Sequence, residues 1–345
     1  MSRITYCSPK LYIDGKIIES LDTFSFSESM NNLQSFRAKC LEPDLENRDL
    51  FNKKVEFYLN YGSEDGIPLF RGYIREFKAT DTQFSFTAQD PRVFITGNDA
   101  MPVSITDKNN YDGYTLTQFI YKYITDNINI NETKLGLYSL NEIDKPVFMT
   151  GERFKSNAPW NVISNVLKKA IDDSDIEEPL SYFTDIVHRN IDSDLIFRKK
   201  QSLDNVNTKV FKYNDGIIEL SYRERAPVSV ASATTKDGVV SEFIYGNTPK
   251  GRVGLKLSGQ YETPAEAQKA ARNTVLLNYK NTKEISITVS KGIYSRMGDA
   301  ISIDVPDYNV AGNVRITSKS ISGSKNSFSC TLQCNKEPIK LTDFI

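Results

Sequence analysis

The densest run of chemistry-bearing side chains in this sequence is acidic: Asp172-Asp173-Ser174-Asp175-Ile176-Glu177-Glu178. Carboxylates so spaced can gather a Ca²⁺ ion, but a calcium loop also needs a glycine at its sharp turn, and the run has none. It reads as a solvated loop. Histidine and tryptophan occur once each, as His188 and Trp160, so a histidine-based metal centre or catalytic triad has too few members. Cys7, Cys40, Cys330 and Cys334 are scattered, with no Cys-x-x-Cys pair. The last two are four apart on a predicted strand, which turns both to one side yet holds them too far apart to bridge. Their setting predicts small buried hydrophobes. No Gly-x-x-x-x-Gly-Lys-Ser/Thr, Gly-x-Gly-x-x-Gly, Gly-x-Ser-x-Gly or His-Glu-x-x-His motif is present. Any two of the 44 acidic residues could converge as a glycosidase pair, and nothing marks one pair.

Trp160, Phe154 and the tyrosines are the material of a sugar- or base-stacking platform. Trp160, however, falls on the apolar stripe of its predicted helix and so reads as core. Lys and Arg are interspersed with acids, Arg198-Lys199-Lys200 being the longest basic run, and the formal net charge is −1. A general nucleic-acid binder carries a basic excess instead. The expectation is a protein that is not an enzyme and uses no cofactor or metal.

A length of 345 residues implies two or three domains to hold these side chains. No apolar run reaches the ~18–20 residues of a membrane span, and the first residues lack the apolar core of a signal peptide, so no membrane anchor and assembly in the cytoplasm are expected. Residues 1–96 read as strands, opening with a hairpin around Asp14-Gly15. Residues 97–225 read as a small α/β domain: helices over Tyr114–Asn127 and Ala158–Ile171, then a hairpin of Phe183–Val187 and Leu195–Arg198. Residues 226–335 return to strands, Glu284–Ser290, Ala300–Val305, Val314–Ile321 and Ser327–Gln333. They follow a helix from Pro264 to about Tyr279, announced by the capping box Thr263-Pro264-Ala265-Glu266. Residues 336–345 are a tail.

The two ends share a plan. Phe-Ser-Phe-Thr-Ala-Gln at 84–89 echoes Phe-Ser-Cys-Thr-Leu-Gln at 328–333. Upstream of the first lie alternating Lys54–Tyr61 and then Leu69–Phe77 with Gly72; upstream of the second lie Ala300–Val305 and then Val310–Ser320 with Gly312. Each copy reads strand, loop, glycine-led strand, turn, strand, with period-2 alternation throughout. The fold class expected is β-rich α+β: two similar β-barrel or sandwich domains with a small α/β domain between them.

This order resembles the central hub protein of contractile phage-tail baseplates, whose relatives include the late-control-D proteins and the N-terminal part of VgrG spikes. Pro68-Leu69-Phe70-Arg71-Gly72-Tyr73-Ile74, Tyr114–Ile124 and Asn157-Ala158-Pro159-Trp160-Asn161-Val162-Ile163 are similar to stretches of that family. So is Gly298-Asp299-Ala300-Ile301-Ser302-Ile303 followed by Gly312-Asn313-Val314-Arg315-Ile316. The resemblance implies two tail-tube-like domains per chain and a homotrimer with approximate sixfold symmetry, joining a hexameric tail tube to a threefold spike within the virion baseplate. The implied partners are the tail tube protein, a separate spike protein, other baseplate (wedge) proteins, and DNA or a tape-measure protein passing through the bore without specific binding. Tyr73, Ile74 and Thr87 are the expected outward positions at subunit contacts. The tail, with Lys336, Pro338, Phe344 and Ile345, is an expected docking point for the spike. The rival reading is a glycan-cleaving or carbohydrate-binding tail protein.

Overall fold

The computed structural model describes residues 7–94 (apart from 31, 42–48 and 61–66), 135–137, 182–189, 193–199 and 210–334 (apart from 214–215, 225, 227, 246–252, 281–282, 290–294 and 306–309), with 96, 114, 118 and 122 as single positions. Strands β1 (Lys10–Ile13) and β2 (Lys16–Ile18) form the predicted hairpin, with Ile13 opposite Lys16. Asp14 and Gly15 both have positive φ, 49° and 79°, the backbone that a two-residue turn between twisted strands demands. β3 (Leu21–Ser29), β4 (Ser35–Cys40), β5 (Lys54–Tyr58), β6 (Phe70–Ala79) and β7 (Phe84–Gln89) complete the first sheet, in the order β2-β1-β5-β6-β7-β4-β3.

The sheet does not end at β3. Its other edge takes β18 (Val310–Ser324), followed by β19 (Ser327–Cys334), β16 (Lys283–Val289), β12 (Gly216–Glu224), β11 (Val210–Tyr213) and β17 (Ala300–Val305), making 13 strands in all. β17 pairs back onto residues 310–315 of β18, which closes those last six strands into a barrel. Residues 318–324 of the same strand pair with β3. One long strand thus belongs to the barrel at its start and to the joint between the two halves at its end. Val210–Tyr213 and Gly216–Glu224, which the sequence reading placed in the 97–225 segment, are barrel strands here.

The sequence echo at 84–89 and 328–333 falls on β7 and β19, and their neighbours match. β5-β6-β7-β4-β3 and β17-β18-β19-β16-β12 run in the same order, every pair antiparallel. In two matching pairs both strands also carry an irregularity, though at different places: between Ile74 and Glu76 in β6 and between Ile316 and Ser318 in β18, between Leu21 and Thr23 in β3 and between Ile217 and Glu219 in β12. The two glycines matched by sequence do different jobs. A Cβ on Gly72 would stand 2.2 Å from the Gln89 carbonyl oxygen, whereas Gly312 has φ +139° and open space around it.

One apolar cluster runs through both halves. The first is packed with phenylalanine: Phe36 stacks on Phe70 with centroids 5.3 Å apart and meets Phe57 at 4.6 Å. The second is aliphatic, with Ile287, Ile301, Ile316 and Leu332 fully buried. Cys330 and Cys334 are free and fully buried there, as their strand spacing predicts.

Outside this sheet lie two smaller ones. β9 (Tyr182–His188) and β10 (Ser193–Lys199) form the expected hairpin, with β8 (Leu135–Leu137) parallel to β10. β13 (Val228–Thr235) is flanked by β14 (Val240–Ile244) and β15 (Val253–Tyr261). Helix α1 (Pro264–Lys280) packs on this last sheet through Ala267, Ala270, Ala271 and Val275. The Glu266 amide donates to Thr263 Oγ1 at 3.2 Å, the first half of the predicted capping box, while Glu266 Oε2 reaches one residue further back, to the Glu262 amide at 3.1 Å. The predicted helices over 114–127 and 158–171 lie outside the described residues, except that Gln118 and Lys122 are helical. Trp160, Phe154 and the acidic run 172–178 lie outside them too.

Candidate functional site: a hydroxyl-covered sheet face and the joint behind it

Alternation puts one side of each strand into the core and leaves the other side free. Across the joined sheet the free sides line up. Glu219, Thr288, Thr331, Ser320, Ser27, Ser35, Gln89 and Tyr73 stand directly opposite one another in a single row, spanning β12, β16, β19, β18, β3, β4, β7 and β6. The next row reads Ser329, Ser322, Ser25, Arg37, Thr87 and Glu76; the next, Ser327, Ser324, Thr23, Lys39, Ser85 and Lys78. None of these side chains is buried.

The face is covered mainly by short hydroxyls, which offer a donor and acceptors but no fixed charge. Its charge is uneven. In these two rows the barrel half carries hydroxyls alone, while the first half brings Arg37, Lys39 and Lys78 beside Glu76 around a shallow groove of about 520 Å³. Lys39 also lies 3.9 Å from Asp22.

Behind the face, on the core side of the β18–β3 joint, a buried polar chain ties three units together. Lys319 Nζ lies 2.8 Å from Glu28 Oε1 and 5.7 Å from the centre of the Phe26 ring, and it donates to the Ser295 carbonyl at 3.1 Å. Gln34 Nε2 donates to Glu28 Oε2 at 3.0 Å. That carboxylate fixes the amide, so Gln34 Oε1 faces His188 Nε2 at 2.9 Å and the imidazole proton belongs on Nε2. His188 Nδ1 then accepts from Ser193 Oγ at 2.9 Å. The Arg71 amide points at the same Nε2 from 3.2 Å, and one ring nitrogen cannot serve both neighbours at once. Burial pushes the His188 pKa down to about 3, helped by the positive charges of Arg71, Arg92 and Lys319. The ring is therefore neutral.

Two further ion pairs brace the same region, the first buried and the second half-buried. Asp90 accepts from Arg92 Nε at 3.0 Å and Nη2 at 2.8 Å, and also from the Gln34 amide, which locks the loop carrying Gln34 to the end of β7. Arg71 Nε lies 2.7 Å from Glu56 Oε1. Burial raises the Glu56 pKa, but Arg71 and Lys54 outweigh it and leave the carboxyl below its ordinary value. A cavity of about 160 Å³ adjoins the chain of contacts, and among the described residues its carboxylates are Glu28 and Asp185. Both Glu28 oxygens are already engaged, one by Lys319 and one by Gln34.

The fold has close counterparts of known structure. The 43 kDa tail protein of prophage MuSo2 from Shewanella oneidensis aligns with 98% of this chain and 98% of its own, with TM-score 0.68 and 11% identity. The tail protein of Neisseria meningitidis MC58 covers 98% of this chain and 99% of its own, at TM-score 0.65 and 11% identity. This chain has the phage tail protein fold. The E. coli c3393 protein, a component of the type VI secretion system similar to the T4 bacteriophage tail proteins gp27 and gp5, covers 96% of this chain and 77% of its own, at TM-score 0.54 and 11% identity. No protein-family model matches the sequence, and no curated protein does.

On this tail-protein fold the residues expected at subunit contacts separate. Ile74 is fully buried among the core side chains, so it is not an outward position: alternation from Phe70 and Gly72 turns it to the core face opposite Ala88, while its neighbour Tyr73 faces the other way. Tyr73 and Thr87 lie on the polar face, Tyr73 with its ring edge-on to Phe94 at 4.8 Å. Lys336, Pro338, Phe344 and Ile345 lie outside the described residues. Among the described residues no group of three His, Cys, Asp or Glu side chains gathers to hold a metal ion, and no helix is long and apolar enough to cross a membrane.

The sequence marked His188 only as a lone histidine, too few for a metal centre or triad, and gave no sign of Glu28, Gln34 or Lys319. The face itself leaves a trace in the sequence: serines at every second position, Ser25-x-Ser27-x-Ser29 and Ser318-x-Ser320-x-Ser322-x-Ser324. What it does not reveal is that those two strands lie side by side.

Proposed function

We propose that this protein is a structural, non-enzymatic baseplate hub of a contractile tail, in a phage or a tail-derived particle, with three copies forming a ring between a hexameric tail tube and a spike. The observation that carries this is the row of polar residues running unbroken across eight strands drawn from two like halves. Two like units per chain and three chains give six similar positions on one side, and three chains match a threefold spike on the other. The short, mostly uncharged side chains suit the wall of a bore through which DNA or a tape-measure protein slides without specific binding, since fixed positive charge would hold a phosphate backbone.

In this reading the first tube-like domain is 1–96, and the second is built from 210–224 together with 283–334. The segments between them, including the β13–β15 sheet and α1, are insertions that meet the neighbouring baseplate proteins. The tail 336–345 docks the separate spike protein. The particle is assembled in the host cytoplasm and the chain ends in the virion.

The test is reconstitution with the tail tube and spike proteins, followed by mass measurement and electron microscopy. The expected result is a complex with three copies of this chain and threefold density at the tube end. A chain that remains monomeric with both partners present would overturn the reading. Cell-wall turnover abolished by changing one Asp or Glu would favour the glycan-cleaving alternative.

A further inference from the structure

The joint inside the chain predicts the joint between chains. Taking β7 and β19 as equivalent places Glu76, Phe77 and Lys78 of β6 where β18 has Ser320, Ile321 and Ser322, because each set faces corresponding residues of β7 or β19. Taking β4 and β16 as equivalent through the same two strands places Ser221, Leu220 and Glu219 of β12 where β3 has Ser27, Phe26 and Ser25. Within the chain, Ser320, Ile321 and Ser322 pair with Ser27, Phe26 and Ser25. The two four-strand units therefore join head to tail, and the chain is left with one unused copy of each half of that joint: residues 76–79 of β6 and 219–224 of β12.

Both edges are open among the described residues. Among the described residues, the only strand beside residues 76–79 is β7, and the only strand beside 219–224 is β16. The side chains at the two edges look unfinished in the same way. Ile321 and Phe26 are 0% and 1% exposed, sealed by their mutual joint, whereas their counterparts Phe77 and Leu220 are only partly buried at the margin of the same core. An open edge bearing half-covered apolar residues is a template for another strand.

We infer that β6 of one copy pairs antiparallel with β12 of the next, in the register of the β18–β3 joint. Glu76 then faces Ser221, Phe77 faces Leu220, and Lys78 faces Glu219 of the neighbouring copy. The strand directions agree, since alternation along the sheet makes β6 antiparallel to a β12 placed beyond it. The charges agree as well: where the internal joint pairs Ser322 with Ser25, the joint between copies sets Lys78 against Glu219, an opposite-charge pair. A head-to-tail contact that is not self-complementary generates a ring or a filament, and the polar face continues across it from chain to chain. Beyond Arg75 the bulges of β6 and β18 fall at different places, so the correspondence is confined to these three positions.

The inference rests on the ring proposed above, and the experiment separates the two. Association of the full-length chain is measured by sedimentation for wild type, Lys78→Glu, Glu219→Lys and the double variant. Both sites are exposed, so the variants keep the fold. Each single change sets like charges face to face and is expected to weaken association roughly tenfold or more, while the double variant restores it to within about threefold. Amide exchange at 76–79 and 219–224 slows in the assembled wild type. A ring that forms equally well with either single change, or that leaves those amides unprotected, removes this joint and leaves the ring standing. A wild-type chain that stays monomeric throughout removes both.

Discussion

Lys319 and Glu28 face each other across the joint of β18 and β3, Nζ to Oε1 at 2.8 Å, with only 5% and 9% of each residue exposed. They stand 291 positions apart in the chain, and their pairing is what holds a buried charge at the meeting of the two halves. A buried pair of this kind gains little over an apolar pair of similar size, but breaking it is costly because the survivor keeps its charge without a partner.

Lys319→Ala is accordingly expected to lower unfolding stability by about 3–5 kcal/mol, read as a shift in the denaturant midpoint. Glu28→Leu combined with Lys319→Met should recover most of that loss. If the single change costs under about 1 kcal/mol, as exposed pairs do, the pair is not buried as described.

His188 makes stability fall on acidification. Its folded pKa of about 3 lies below the ordinary value of 6.5, so protons bind the unfolded chain more readily. The contribution is whole above pH 6.5 and is lost as the pH drops toward 3, with a slope of up to about 1.4 kcal/mol per pH unit. Between pH 6.5 and about 5, above the carboxylate range, His188→Gln should flatten the profile. An unchanged slope would assign the acid sensitivity elsewhere.

Gly72→Ala and Gly15→Ala should differ sharply. The first forces a Cβ to 2.2 Å from the Gln89 backbone oxygen, so β6 and β7 must part. The second meets nothing within 4 Å and pays only for a side chain at φ +79°, about 1 kcal/mol. Thermal unfolding of both variants decides it, with Gly72→Ala the more damaging by several degrees or failing to fold, in the manner of overpacking.

Cys330 and Cys334 should resist thiol reagents in the native state. Burial raises both pKa values to about 12, so almost no thiolate exists at neutral pH. A colorimetric titration is expected to find these two silent until denaturant is added, when all 4 cysteines react. Rapid native modification of either would mean that the barrel opens.

Local order was legible in the residues themselves. Asp14-Gly15 specifies its hairpin because only residues tolerant of positive φ fit there, and Thr263-Pro264-Ala265-Glu266 starts α1 because its side chains satisfy the first free amides. Alternation marked β16 to β19 for the same reason, that one side of each must be apolar. The echo of 84–89 in 328–333 even pointed to the repeated strand order. Partnership was another matter. Nothing in Ser25-x-Ser27 or Ser318-x-Ser320 names the strand beside it, since a hydroxyl facing water suits any neighbour, and Val210–Glu224 carried no mark of the distant barrel it joins. Gln34, Glu28 and Lys319 are ordinary surface residue types until the two halves meet and enclose them. Pairing across the chain is settled by which apolar faces can be buried together, and only the folded molecule supplies that arrangement.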